Sequence, residues 1–198
     1  MTGGAKRYLP DGSLDPAWNV PRLSKPGTVT SLHSTNHDKF YVAAEKAIEF
    51  NPNNFGVIGE MAVHTGYSGQ YDRSIALLEH AKKLSPIYPD WVYVVPMLNG
   101  FRTGEYSVAL SYYEEMGPGL ANHHMVKTLL AATYSRQGEL AKAREIIAQL
   151  TDNHPQFVDD PRQPFLARRM EPDLIKSIME GLRAAGHYVP PKAESDRC

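Results

Sequence analysis

Cysteine is almost missing from this chain: the only one in 198 residues is Cys198. No disulfide can form within one copy, which points to a reducing compartment. An excess of charge of either sign is missing too. Lys and Arg number 21 and Asp and Glu 22, a formal net charge of −1. That argues against a nucleic-acid or anionic-membrane surface, which would need clustered surplus cations. Long apolar runs are also lacking. The longest is 91–98, and Pro96 breaks it, whereas a membrane span needs about 20 residues. The opening stretch is interrupted at Pro10, Asp11 and Gly12, so it does not read as a secretory segment. A soluble, cytoplasmic, single-domain protein is expected.

Repetition, by contrast, is plentiful. Three turns of one type, Gly69-Gln70-Tyr71, Gly104-Glu105-Tyr106 and Gly138-Glu139-Leu140, follow one another at spacings of 35 and 34 residues. Helix ends recur in step with them: Ala47 before Asn51-Pro52, Ala81 before Ser85-Pro86, and Ala143 before His154-Pro155. A period near 34, with two helical stretches per period, predicts a helical solenoid.

Helices are predicted over 39–50, 54–67, 71–84, 90–101, 106–116, 121–136 and 140–150 from apolar residues recurring at three and four. Ile58, Met61, Ala62 and Thr65 form one such stripe; Leu130, Ala131 and Tyr134 answer Ala143, Ile146, Ile147 and Leu150. Beyond Pro155 a loop rich in Asp and Pro leads to a short helix near 165–170 and a last helix over 174–185, stopped by Gly186. Leu174, Ile178, Gly181 and Leu182 form that helix's buried face, with Lys176 and Arg183 outside. It is expected to cap the array. Residues 1–36, with Pro10, Pro16, Pro21 and Pro26, read as an irregular arm, 37–187 as the repeat domain and 188–198 as a polar tail.

These positions resemble the tetratricopeptide repeat family. Ala62, Gly69, Tyr71, Ala81 and Pro86 fill its pattern in the second unit, and Ala131, Tyr134, Gly138, Ala143 and Pro155 in the fourth. The third departs at Met97 and Gly100 and closes early at Gly117-Pro118-Gly119. The first shows only its second helix. The resemblance implies an all-α, right-handed α-α superhelix of about three and a half repeats with a C-terminal capping helix. The string 44–54, the entry Pro89-Asp90-Trp91 and the close 180–186 are further similar to the C-terminal repeat regions of bacterial class III adenylate cyclase-type and TolB-like regulatory proteins. That implies a regulatory or protein-binding role, without the cyclase's catalytic segment.

Catalytic constellations are not legible. His123-His124 are adjacent, so on a helix they project about 100° apart and do not share an ion easily. Glu114-Glu115 do not face each other. Ser74, Ser107 and Ser111 lack a nucleophile-elbow setting. Arg162, Arg168, Arg169 and Arg183 could bind an acidic segment, or pair locally with Glu171 and Asp173. Tyr106, Tyr112 and Tyr113 read as packing between units. No metal or cofactor is expected.

The resemblance places the first helix of each unit on a concave face. That face would present Gly59, Val63 and Gly66, then Trp91, Val94, Leu98 and Phe101, then Met125, Thr128 and Ala132. It is apolar, so an apolar peptide or helix of a protein partner is the expected ligand, anchored on Trp91 and Phe101. Packing of those aromatics within the fold is the open alternative. So are regulation of a nucleotide cyclase in trans, an enzyme built on the solenoid, and a homodimer through the N-terminal face near Phe40 and Ile48.

Overall fold

A computed structural model describes residues 37–85 and 87–190, with side chains from Val42 onward. The arm over 1–36, the tail beyond 190, Pro86 and the Phe40 side chain lie outside the described residues. Within them the chain is all-helical, without strands.

Helix α1 is His37–Phe50. Asn51-Pro52 stops it, and Asn54 then caps α2, Phe55–Tyr67, by accepting a hydrogen bond from Val57 N at 3.1 Å. The chain turns into α3, Tyr71–Leu84. A single 3-10 turn, Asp90–Tyr93, leads into α4, Val94–Thr103, followed by α5, Tyr106–Glu114. A short α6, Pro118–Ala121, precedes α7, His124–Arg136, and α8, Leu140–Asn153. The predicted helix from 121 therefore splits. His123 is extended, and its Nδ1 accepts from Met125 N at 3.2 Å to start α7 afresh. Two short helices follow, α9, Pro155–Asp159, and α10, Gln163–Leu166, then α11, Pro172–Ala184. The stretch at α9 was expected to be loop; Pro155 at the first helical position favours this single turn instead.

The three repeated turns share one backbone geometry. Gly69, Gly104 and Gly138 have φ of 93°, 81° and 90°, a region costly for any residue with a side chain. The next residues match as closely: φ/ψ is −87°/64° at Gln70, −83°/61° at Glu105 and −81°/57° at Glu139.

Each turn joins an inner helix to an outer one. The inner helices α2, α4 and α7 bury most of their circumference; Val94, Val95, Pro96, Met97 and Leu98 are all buried in succession. The outer helices bury one stripe, as in Tyr71, Ser74, Leu78 and Ala81 of α3, while α8 buries only Ala143 and Leu150 and α5 only Ala109. That difference is what a helix flanked on two sides, against one flanked on one side, requires. Small residues mark the crossings. The Ser74 hydroxyl donates to Ala62 O at 2.6 Å. A Cβ on Gly100 would lie 2.9 Å from the Ala109 nitrogen, so α4 and α5 touch there backbone to backbone. Successive units then pack on one another, α4 against α2 and α3, and α7 against α5.

Helix α11 lies along α7. Gly181 sits on Ala132, where an added Cβ would come within 3.0 to 3.1 Å of that residue's Cβ, Cα and carbonyl oxygen. Arg136 donates to Ser177 O at 3.0 Å and pairs with Glu180 at 2.8 Å, and Arg144 Nε donates to Ala185 O at 3.2 Å. Among the described residues no helix is long and apolar enough to cross a membrane.

Candidate functional site

The side chains expected to line an open groove are packed inside. Val63, Val94, Leu98, Phe101, Met125 and Thr128 are all buried, and Thr128 spends its hydroxyl on His124 O at 2.7 Å within its own helix. Phe101 packs against Tyr106 in a tilted arrangement with ring centroids 5.9 Å apart. Gly59 lies beneath the Trp91 ring, Gly66 beneath Val95, and Ala132 beneath Gly181. Trp91 alone of the set is half-buried; its ring leans on Phe55 at 5.9 Å. Packing, the alternative left open for Trp91 and Phe101, is their observed setting. At the N-terminal face, Ile48 is half-buried against Ala44 and Met61.

The chain's own C-terminal segment takes part in this packing. Phe157, Phe165, Met170, Leu174, Ile178 and Leu182 belong to the same continuous core as Val63, Leu98 and Met125. The segment reaches as far as the second unit. Arg168 hydrogen-bonds the Tyr67 hydroxyl, and the Glu171 side chain lies over Gly69. The last helix thus packs on α7, and the residues leading into it reach Tyr67 and Gly69 at the end of α2.

Polar groups gather where this segment meets the inner helices. Arg102 lies over the Tyr71 ring at 4.6 Å, and the Tyr71 hydroxyl is buried without a hydrogen-bond partner. Burial first, and the Glu171 carboxylate second, push that phenol far above its ordinary range. Burial also raises Tyr67, against the opposing pull of Arg168. The arginine pairing differs from expectation. Arg162 binds Asp160 at 2.6 Å rather than Glu171 or Asp173, and Arg168 donates to Pro164 O at 2.8 Å. Burial alone would raise the Asp160 carboxyl, but its hydrogen bonds from Arg162 and Gln163 hold it below the usual value.

Three histidines cluster at the start of α7. His123 and His124 stack with centroids 4.4 Å apart, and His154 approaches His124 at 5.6 Å. Burial, then the neighbouring cations and imidazoles, lowers the pKa of both His123 and His124. Stacked rings do not converge their nitrogens on one ion. Among the described residues no group of three or more His, Cys, Asp or Glu is placed to hold a metal.

An open cleft lies on the far side of the C-terminal segment, a feature the sequence reading missed. It has a volume of about 400 Å³ and runs between α11 and the residues before it. Met170, Ile175 and Met179 form its floor, and Leu166, 37% exposed, its edge. Lys176 and Arg183 stand on the rim with Arg162, against a single acid, Asp173. Lys176 and Arg183 were correctly placed on the outer face, but only the packing of residues 162–170 beside α11 turns that face into a cleft.

No family model, no curated protein and no solved structure matches the chain.

Proposed function

We propose that the chain is a tetratricopeptide-like helical-repeat protein that binds another protein and carries out no chemistry of its own. The observation that supports this most is the turn at Gly69, Gly104 and Gly138, with one backbone geometry at spacings of 35 and 34 residues. Each copy joins a helix buried nearly all round to one buried on a single stripe. Arrays built this way stack into superhelices whose surfaces serve as docking platforms.

The partner's site in this reading is not the row from Val63 to Thr128, because those side chains are already buried within the fold. It is a surface that remains open. The test is affinity capture from a lysate of the source cells, followed by titration of each purified partner against the purified chain. A saturable one-to-one complex is expected. Turnover of a substrate, abolished by a single substitution that leaves the fold intact, would replace this reading with a catalytic one.

A further inference from the structure

Helix α11 ends as the inner helices end. Gly186 has φ of 94°, beside 93° at Gly69 and 90° at Gly138. The closing hydrogen bonds are the same: Gly186 N to Arg183 O at 2.9 Å and His187 N to Leu182 O at 3.0 Å, matching Gly69 N to Gly66 O and Gln70 N to Thr65 O at 3.0 and 3.2 Å. The sequence agrees, since Gly186-His187-Tyr188 repeats Gly69-Gln70-Tyr71. In α2, α4 and α7 this turn delivers an outer helix back onto the inner one two residues after the glycine. After Gly186 it does not. Residues 187–190 are non-helical, Tyr188 is 73% exposed, and Pro190-Pro191 fall in what would be the first turns of the returning helix. The second of these prolines stands where an amide must donate within the helix, and each disfavours helical torsions in the residue before it.

Among the described residues, then, no outer helix follows α11. Met179 stands seven residues before its glycine, the register that Ala62 holds in α2, where α3 docks through Ser74. Met179 faces the cleft together with Ile175. Lys176 and Arg183, seven residues apart, lie about 10.5 Å from each other along the axis on that same face. Neither side chain has a hydrogen bond or ion pair among the described residues, whereas Arg162 is held by Asp160.

We propose that this cleft receives an amphipathic, acidic helix of a partner protein, docked as an outer helix docks on α2, α4 and α7. The proposal rests on the binding role above and names its site and partner chemistry. The apolar floor takes the partner's apolar stripe, as every other inner helix takes one from its outer helix. These two cations set the sign: carboxylates two turns apart on the incoming helix meet Lys176 and Arg183, while a basic helix is repelled.

The test uses the full-length chain and a displayed library of 14-residue helices. Leucines are fixed on one stripe, and the flanking positions vary among Glu, Gln and Lys. Selection is expected to enrich Glu at positions seven apart. Binding of the enriched peptide should weaken roughly tenfold in Lys176→Gln/Arg183→Gln. The charge-reversed Lys176→Glu/Arg183→Glu should instead select Lys, a gain that misfolding cannot mimic. No enrichment, or an enrichment that ignores both variants, would overturn the proposal. So would a homodimer in sedimentation that dissociates on charge reversal, since a second copy would then own the cleft. If captured partners bind the charge-reversed chain undiminished, this inference fails while the binding role stands; if no partner is captured at all, the binding role itself fails.

Discussion

Tyr71 shows how much a single position carries. It opens α3, packs among the inner helices and presents its ring to Arg102, yet its hydroxyl finds no partner. A buried, unsatisfied hydroxyl costs on the order of 1–3 kcal/mol relative to a site without one. Tyr71→Phe keeps the ring and removes that cost. We therefore expect the variant to match or exceed the parent in urea denaturation, by up to about 1 kcal/mol. A loss of that size would mean that the hydroxyl has a partner. The sequence identified Tyr71 as a turn residue because the Gly-x-Tyr spacing is local. It could not show the arginine over the ring, because Arg102 comes from the next unit.

At the scale of one helix, the contact between α7 and α11 depends on the absence of a side chain at Gly181. A valine there must push Ala132 and its backbone aside. Overpacking of this kind costs about 1–3 kcal/mol. Gly181→Val should lower the unfolding free energy by about 2 kcal/mol, read as a shifted urea midpoint with an unchanged slope. An unchanged midpoint would show that α11 can ride away from α7 without loss. The start of α7 carries a second, pH-dependent expectation. His123 and His124 have folded pKa values below the unfolded 6.5. Above that pH both states are neutral there and the pair has no effect. As pH falls below it, the unfolded chain binds more protons than the folded one, so stability declines. The decline levels off only below the folded pKa values. Melting temperatures between pH 8 and 5 should show this slope. His123→Asn/His124→Gln should flatten it, with asparagine keeping the helix cap. An identical slope in the variant would assign the acid sensitivity elsewhere, His187 being another histidine that burial lowers. Helix placement itself was largely legible: α3 was predicted over 71–84 and is observed over Tyr71–Leu84. The split at His123 was not, because a histidine cap has a weaker sequence signal than Ser, Thr, Asp or Asn.

For the whole molecule, periodicity named the apolar faces of the inner helices but not what covers them. Val63, Leu98 and Met125 look alike in sequence whether they meet a ligand or are buried in the chain's own core. Packing between elements distant in sequence, residues 155–184 among them, decides between the two. That segment also helps to hold the fold together. Phe165, Met170, Leu174, Ile178, Met179 and Leu182 are each at most 3% exposed. Burying a large apolar side chain contributes about 1.5–3 kcal/mol, so these six together contribute on the order of 10 kcal/mol, as much as a whole domain's net stability. A chain shortened after Asp160 should therefore lose its cooperative thermal transition and bind a hydrophobic dye, rather than leave three intact units with a newly opened groove. Adding the peptide 161–190 in trans should restore the transition, since it returns the six buried side chains that the shortened chain lacks. If the shortened chain instead melts cooperatively near the parent's temperature, the inner helices stand without their cover. The row from Val63 to Thr128 would then be open to a partner after all.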